Sequence, residues 1–441
     1  MSVRKLLLLV FFPFLLFTTA CNQDDSIDPV VETETENEPT SEEPTPVDPE
    51  PPEVMGATEI FNSLLMYDGL VLVNDAKNNR AFLMDKNALL VHEWPISTAL
   101  GNDAFLLPNG KILASLEAED PKITFGGQGG KVQFIAADGT VEWNFDYSSP
   151  EAETHHDAEL LPNGNVIVLV WEKKTLEEAT AAGSNSNVDV FPEAVIEIDP
   201  LTDEIVWEWH AWDHLVQDFD DTKENYGIIS SNPRLIDVNY VTIDNGDIMH
   251  ANGLTYDPIK DVIYISANFF SEVWVIDHST TTAEAASHSG GNYGIGGDLV
   301  YRFGNPSAYD NTAGERLFYN NHYPNLLEGS DEGKMLIFSN GNGLDQSTAY
   351  ELQLPDVFSL AADTDNEPEV IWSFADPDLF SPKVSGVVKL PNGNRMITEG
   401  DFGIWEVTDA GEVVWKFNAE GFFWRAYHYD NDAPEIISLG L

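Results

Sequence analysis

The chain has 441 residues, and its 75 Asp and Glu against 21 Lys and Arg give a net charge of −54. So acidic a surface repels phosphate backbones, which argues against nucleic acid as a partner. One cysteine excludes an internal disulfide.

Arg4 and Lys5 precede the apolar run Leu6–Phe17, which is short for a membrane span and has the layout of a secretory signal over residues 1–20. Thr18-Thr19-Ala20 ahead of Cys21 resembles a lipobox, with Thr18 where Leu is usual. That resemblance implies cleavage and lipidation at Cys21, with membrane contact through the lipid anchor only. Residues 21–56 are Asp, Glu, Pro, Thr and Ser with no Lys or Arg, a composition that buries too little to fold and reads as a solvated acidic tether. Its start, Asn22-Gln23-Asp24-Asp25, resembles signals that carry lipoproteins to the outer face of the outer membrane. The expected location is therefore the outer membrane, facing periplasm or exterior. With the tether's twelve carboxylates and the signal's two cations set aside, −44 of the −54 stays on the body, residues 57–441.

The body opens with a helical-looking stretch, Ala57–Met66, and then alternates strands and turns. Six segments end in nearly one phrase: Ala88–Trp94, Gly139–Phe145, Asp203–Trp209, Gly297–Phe303, Pro368–Phe374 and Gly411–Phe417. Each is a β-branched, aromatic-rich strand after a turn. Pro-Asn-Gly hairpin turns recur in Phe105–Lys111, Leu160–Val166 and Lys389–Arg395. Hairpin, third strand, turn and aromatic fourth strand, repeated at intervals of roughly 40–90 residues, are propeller blades. The fold class is all-β, a six-bladed β-propeller. The first blade lacks an innermost strand, and Phe422–Tyr429 is left over at the other end, so the last strand is predicted to close the ring. Two insertions break the rhythm: Ala211–Asp247, with a short helix expected in Asp213–Asp221, and His278–Gly296, flexible enough for a lid.

Histidines open three inner strands: His155 and His156, His250, and His322. Inner strands line the channel, so imidazoles from three blades are expected to face one axis; the bland alternative is that they cap turns. No H-E-x-x-H pattern occurs, and no metal or cofactor is expected. Gly126–Lys131 (GGQGGK) differs from a phosphate loop in spacing and in Val132, and reads as a turn; Asn340–Asp345 and Asp244–Asp247 also read as turns.

The strings HHDAELLPNGN, EIVWEWHAWDHLVQDFD, MHANGLTYDP, GGDLVYRFGNPSAY, LFYNNHYPNLL and RAYHY, in this order over Tyr67–Tyr429, resemble the arylsulfotransferase family. The resemblance implies transfer of a sulfuryl group from small aryl sulfates to phenols without a nucleotide donor, through channel histidines, one of them transiently sulfated. His250 and Asn252 match the family's H-x-N, and His322 matches the His of its Q-H-D, with Tyr323 in place of the Asp. The family's arginine after F-D-N-G is missing from Phe338–Asp345, and the only histidine beyond His322 is His428. The candidates implied are therefore His250, His322, His428, His155 and His156 for the chemistry, with Asn252, Arg302, Lys383 and Arg425 holding substrate. The alternatives are a surface propeller that only binds a sulfated or phenolic ligand or a partner protein, and another histidine-dependent transfer or hydrolysis.

Overall fold

A computed structural model describes residues 51–441. The signal, Cys21 and most of the acidic tether lie outside the described residues. Six antiparallel sheets carry the fold, five of four strands and one of five, with a small two-stranded parallel pair beside them. Each recurrent aromatic phrase forms the fourth strand of its sheet counted from the innermost, as in Val141–Asp146, Glu369–Phe374 and Val413–Asn418.

Burial explains the pattern of residues. A middle strand is covered by neighbouring blades on both faces and so reads as an unbroken apolar run; Leu70–Asp75 and Val262–Ala267 are buried throughout. Outer strands such as Val141–Asp146 keep polar residues toward water. The core lies between blades: one cluster joins Ile167 and Trp209 of blade three to Ile263 and Trp274 of blade four, another joins Phe338 of blade five to Ile397 of blade six. Within the Pro-Asn-Gly hairpins Gly110, Gly164 and Gly393 sit at φ of 79°, 90° and 89°, a conformation that costs glycine almost nothing.

The ring closes twice. Phe423–Tyr429 is the innermost strand of blade one, with Leu70 opposite Tyr429 and Val73 opposite Ala426. Ala57–Phe61 is the fifth strand of blade six, pairing with Val413–Asn418. This corrects the helical reading of Ala57–Met66: the blade's open edge supplies a ladder for Thr58, Ile60 and Phe61, and only Asn62–Met66 turns helically, with Met66 N–H donating to the Asn62 carbonyl. The helix expected in Asp213–Asp221 is also absent. A 3-10 turn, Ala211–His214, runs into Leu215–Val216, which pairs with Ile236–Asp237. There the Gln217 side chain accepts from the N–H groups of Phe219 and Asp220 (2.8 and 2.7 Å), donors a helix would have used.

Candidate functional site

Side chains alternate across a regular strand, so neighbours rarely face the same way. In five blades the inner strand breaks its register against the next strand, with one or two extra residues that re-aim side chains toward the channel. His156, His250 and Tyr323 adopt left-handed φ of 53°, 52° and 57° at or beside these breaks. Val384, facing them from blade six, sits at 56°, where a β-branched side chain is a clear outlier. Each such residue costs about 1–3 kcal/mol, and strain of this kind persists where the surroundings over-determine it.

The strained strands bring four imidazoles together. His156 and His250 meet edge to face with centroids 4.9 Å apart, and His155 stacks on Trp171 at 3.9 Å. Trp424 from the closing strand touches both His156 (5.2 Å) and His322 (5.8 Å). The GGQGGK turn roofs the group: a side chain at Gly127 would meet His156 Nε2 at 2.0 Å, so only glycine passes there. Asn102 Nδ2 donates to the Gly127 carbonyl (2.8 Å) and pins the turn.

The imidazoles are not equivalent. Burial disfavours charge on His250, but the Asp247 carboxylate, 2.5 Å from Nδ1, outweighs it and raises the pKa above 6.5. Burial, then the positive charge of His250, holds His155 and His156 far below the usual histidine range. Burial likewise takes His322 down to about 3, against a hydrogen bond from Nδ1 to Asn340 Oδ1 (2.6 Å). The Val384 N–H donates to His322 Nε2 (3.2 Å), so both of its nitrogens are engaged. His155 links Nε2 to Glu193 Oε2 (2.8 Å) and Nδ1 to His156 Nδ1 (2.8 Å), making one relay. Burial, then the Asp247 charge, pushes Glu193 well above the carboxylate range, while its other oxygen accepts from Ala251 N–H (2.7 Å).

Arg425 lies beside this group. Nη1 donates to Asp157 (3.0 Å) and Asp103 (3.3 Å), and Nη2 to the Asn252 carbonyl (3.2 Å). Two buried donors here, Arg425 Nε and Trp424 Nε1, have no partner among the described residues. Arg425 also borders a cavity of about 330 Å³ lined by Asp103, Asp157, Glu159, Tyr323 and Tyr427. Burial lifts Asp157 to about 6 even against Arg425, and lifts Glu159 to about 8.

The other sequence candidates lie elsewhere. His428 occupies the opposite face of its strand from Arg425 and Tyr427, donating from Nε2 to the Asp68 carbonyl (2.9 Å) and packing on Tyr67. Arg302 is buried in an ion pair with Glu272, its Nε 2.9 Å from Oε1. Lys383 is exposed and lies over the Phe422 ring at 4.9 Å. Asn252 is buried beside Arg425 and donates to the Asn321 carbonyl (2.8 Å). Sequence reasoning missed Asp247, read as part of a turn, along with Glu193, Trp171 and Trp424. Only Asp247, three residues before His250, carried a local signal.

Buried neutral histidines make stability depend on pH. As pH falls below 6.5 the unfolded chain binds protons that folded His155, His156 and His322 refuse, so their contribution is lost between 6.5 and about 3. Asp157 and Glu159, raised to about 6 and about 8, act oppositely and lose their contribution as pH rises through those values. On going from about pH 7 to about pH 5 the melting temperature of wild type is therefore expected to drop relative to that of His322→Gln, because the buried acids contribute alike in both proteins. An equal drop in both proteins would contradict the buried neutral state.

No curated protein matches the chain. A solved structure of a putative 6-phosphogluconolactonase from Bacteroides fragilis is 11% identical with a TM-score of 0.42, covering 82% of this chain and 98% of that one. The Cps50 (Swd1) β-propeller domain of Myceliophteria thermophila is 10% identical with a TM-score of 0.38, covering 84% and 89%. The arylsulfotransferase (ASST) family model matches residues 61–421, most of the chain and every blade, and on that match the chain belongs to the arylsulfotransferase family.

Proposed function

We propose that the histidine cluster transfers a sulfuryl group from an aryl sulfate to a phenolic acceptor. The observation that carries this reading is the split among four clustered imidazoles, one pushed toward its charged form by Asp247 and the others toward their neutral form by burial. Sulfuryl transfer needs a neutral nucleophile at sulfur and positive donors on the oxygens. His156 is the nucleophile. Burial and Asp247 favour protonated Glu193, so the reactive form is the minor one with Glu193 ionised: in it His155 Nε2–H donates to the carboxylate, His155 Nδ1 accepts from His156 Nδ1–H, and His156 Nε2 keeps its lone pair, a tautomer assigned from the hydrogen-bond network.

Attack forms the Nε2–S bond and breaks the S–O bond to the aryl group. The Nδ1 proton of His156 passes to His155, whose Nε2 proton passes to Glu193, so the sulfated imidazole is left neutral. The imidazolium of His250 gives its Nε2 proton to the departing phenolate. A phenolic acceptor then returns its proton to His250 and attacks sulfur, and the relay proton moves back to His156. The unpartnered N–H groups of Trp424 and Arg425 are the donors available to the sulfuryl oxygens.

One observation favours a binding-only propeller: the Nη groups of Arg425, the guanidinium beside the cluster, are already committed to Asp103, Asp157 and Asn252. The two readings separate on 4-nitrophenyl sulfate. Nitrophenolate release that accelerates with added phenol is expected for a transferase. Release unaffected by phenol means hydrolysis, and no release leaves the binding reading. The expected location is likewise part of this proposal: a lipid on Cys21 would hold the propeller at the outer membrane on its acidic tether.

A further inference from the structure

The two insertions meet away from the channel, and between them sits a cluster of groups that the sulfuryl chemistry does not use. His214, at the end of the 3-10 turn Ala211–His214, is buried. His288 and Asp298 come from the insertion between the third and fourth strands of blade four. His214 Nδ1 and His288 Nδ1 face the same oxygen, Asp298 Oδ1, at 2.8 and 2.7 Å. His214 Nε2 lies 2.8 Å from the Ala285 carbonyl, which can only accept.

The Ala285 carbonyl places a proton on Nε2 of His214. In the neutral ring Nδ1 then faces Asp298 with a lone pair, whereas the charged ring donates to the carboxylate. With the ring neutral, His214 Nδ1, His288 Nδ1 and Asp298 Oδ1 converge on one point that a cation can fill. A metal-bound histidine normally donates its other N–H to a carbonyl or carboxylate, as His214 does to Ala285. Gly297 presses on this second contact: a Cβ there would lie 2.0 Å from the Ala285 oxygen and 2.4 Å from His214 Nε2.

We propose that His214, His288 and Asp298 bind a divalent transition metal of the zinc class, which clips the two insertions together. Two neutral imidazoles and one carboxylate are a borderline donor set, suited to zinc, nickel or cobalt rather than to calcium or magnesium. Ligand atoms about 2.0–2.2 Å from a tetrahedral ion lie roughly 3.3 Å apart. The present spacing is a few tenths of an ångström tighter, and His288, whose side chain is 63% exposed, can yield that distance. His288 also lines a cavity of about 550 Å³ with Trp212, Lys223 and Asn225, so water can take the remaining coordination position. The three ligands stand 74 and 10 residues apart and converge only in the fold, so no ligand-spacing motif in the sequence joins them.

The test uses the whole protein stripped with chelator and titrated with Co²⁺, read by its visible absorption. Wild type is expected to bind one more equivalent than His288→Ala, with a tetrahedral spectrum that Zn²⁺ erases and excess Ca²⁺ does not. Zn²⁺ is expected to raise the melting temperature of wild type and not of His288→Ala, and Asp298→Asn is expected to weaken the same equivalent. Equal Co²⁺ uptake by wild type and His288→Ala overturns the site. Displacement of the difference by Ca²⁺ also overturns it, since that is the behaviour of a general acidic surface.

Discussion

A chain ending at Gly421 is expected to be insoluble or to lose cooperative unfolding. The truncation removes Phe423–Tyr429, the innermost strand of blade one, and exposes the edge of Leu70–Asp75. Phe423, Trp424, Tyr427 and Tyr429 are all buried, and at about 1.5–3 kcal/mol each they amount to roughly 6–12 kcal/mol. The whole stability of a folded domain is of that order, about 5–15 kcal/mol. Loss of Arg425 also strands the buried Asp103 and Asp157 without their cation. A chain ending at Asp430 keeps the strand and is the control for the helix Pro434–Leu439. Deleting residues through Phe61 is expected to cost far less, because Ala57–Phe61 is mostly exposed. A soluble Gly421 truncation with an unchanged melting temperature would contradict closure by the last strand.

The propeller was legible because its signals are local and repeated. Each aromatic outer strand follows its own turn, and each Pro-Asn-Gly marks a hairpin without reference to the rest of the chain. The strand Ala57–Phe61 was not legible, since its partner lies more than 350 residues away and its own residues fit one helical turn as well. The histidines were visible as a set because three inner strands carry them at or near the turn that leads in, although His155 and His156 lie inside Ala152–Leu160 and not at its start. Their differences were invisible: the charge on His250 depends on Asp247 inside a turn, and the neutrality of His156 depends on burial beneath a glycine turn from another blade. Alternation along Phe423–Tyr429 separates His428 from Arg425, which adjacency in sequence could not reveal.

The second large effect concerns the cluster itself. His156→Ala is expected to lower turnover by about 10⁴ or more, the scale for loss of a nucleophile. His250→Ala is expected to cost about 10²–10³, the scale for one donor to developing negative charge. Asp247→Asn tests the positioning of His250 by its pH profile. In wild type the rate falls as pH rises through the raised pKa of His250, and without the carboxylate that alkaline limb moves to lower pH. A limb that stays in place would remove Asp247 from the account. Melting temperatures of the three variants separate loss of chemistry from loss of fold.

The most direct measurement is chemical. Wild-type protein is mixed with ³⁵S-labelled aryl sulfate, quenched in alkali, digested and mapped, because sulfated imidazole survives alkali and breaks in acid. Label is expected on His156, absent in His156→Ala and accumulating in wild type when the phenolic acceptor is omitted. Label on His428, or no label on any histidine while His156→Ala turns over normally, would contradict this expectation.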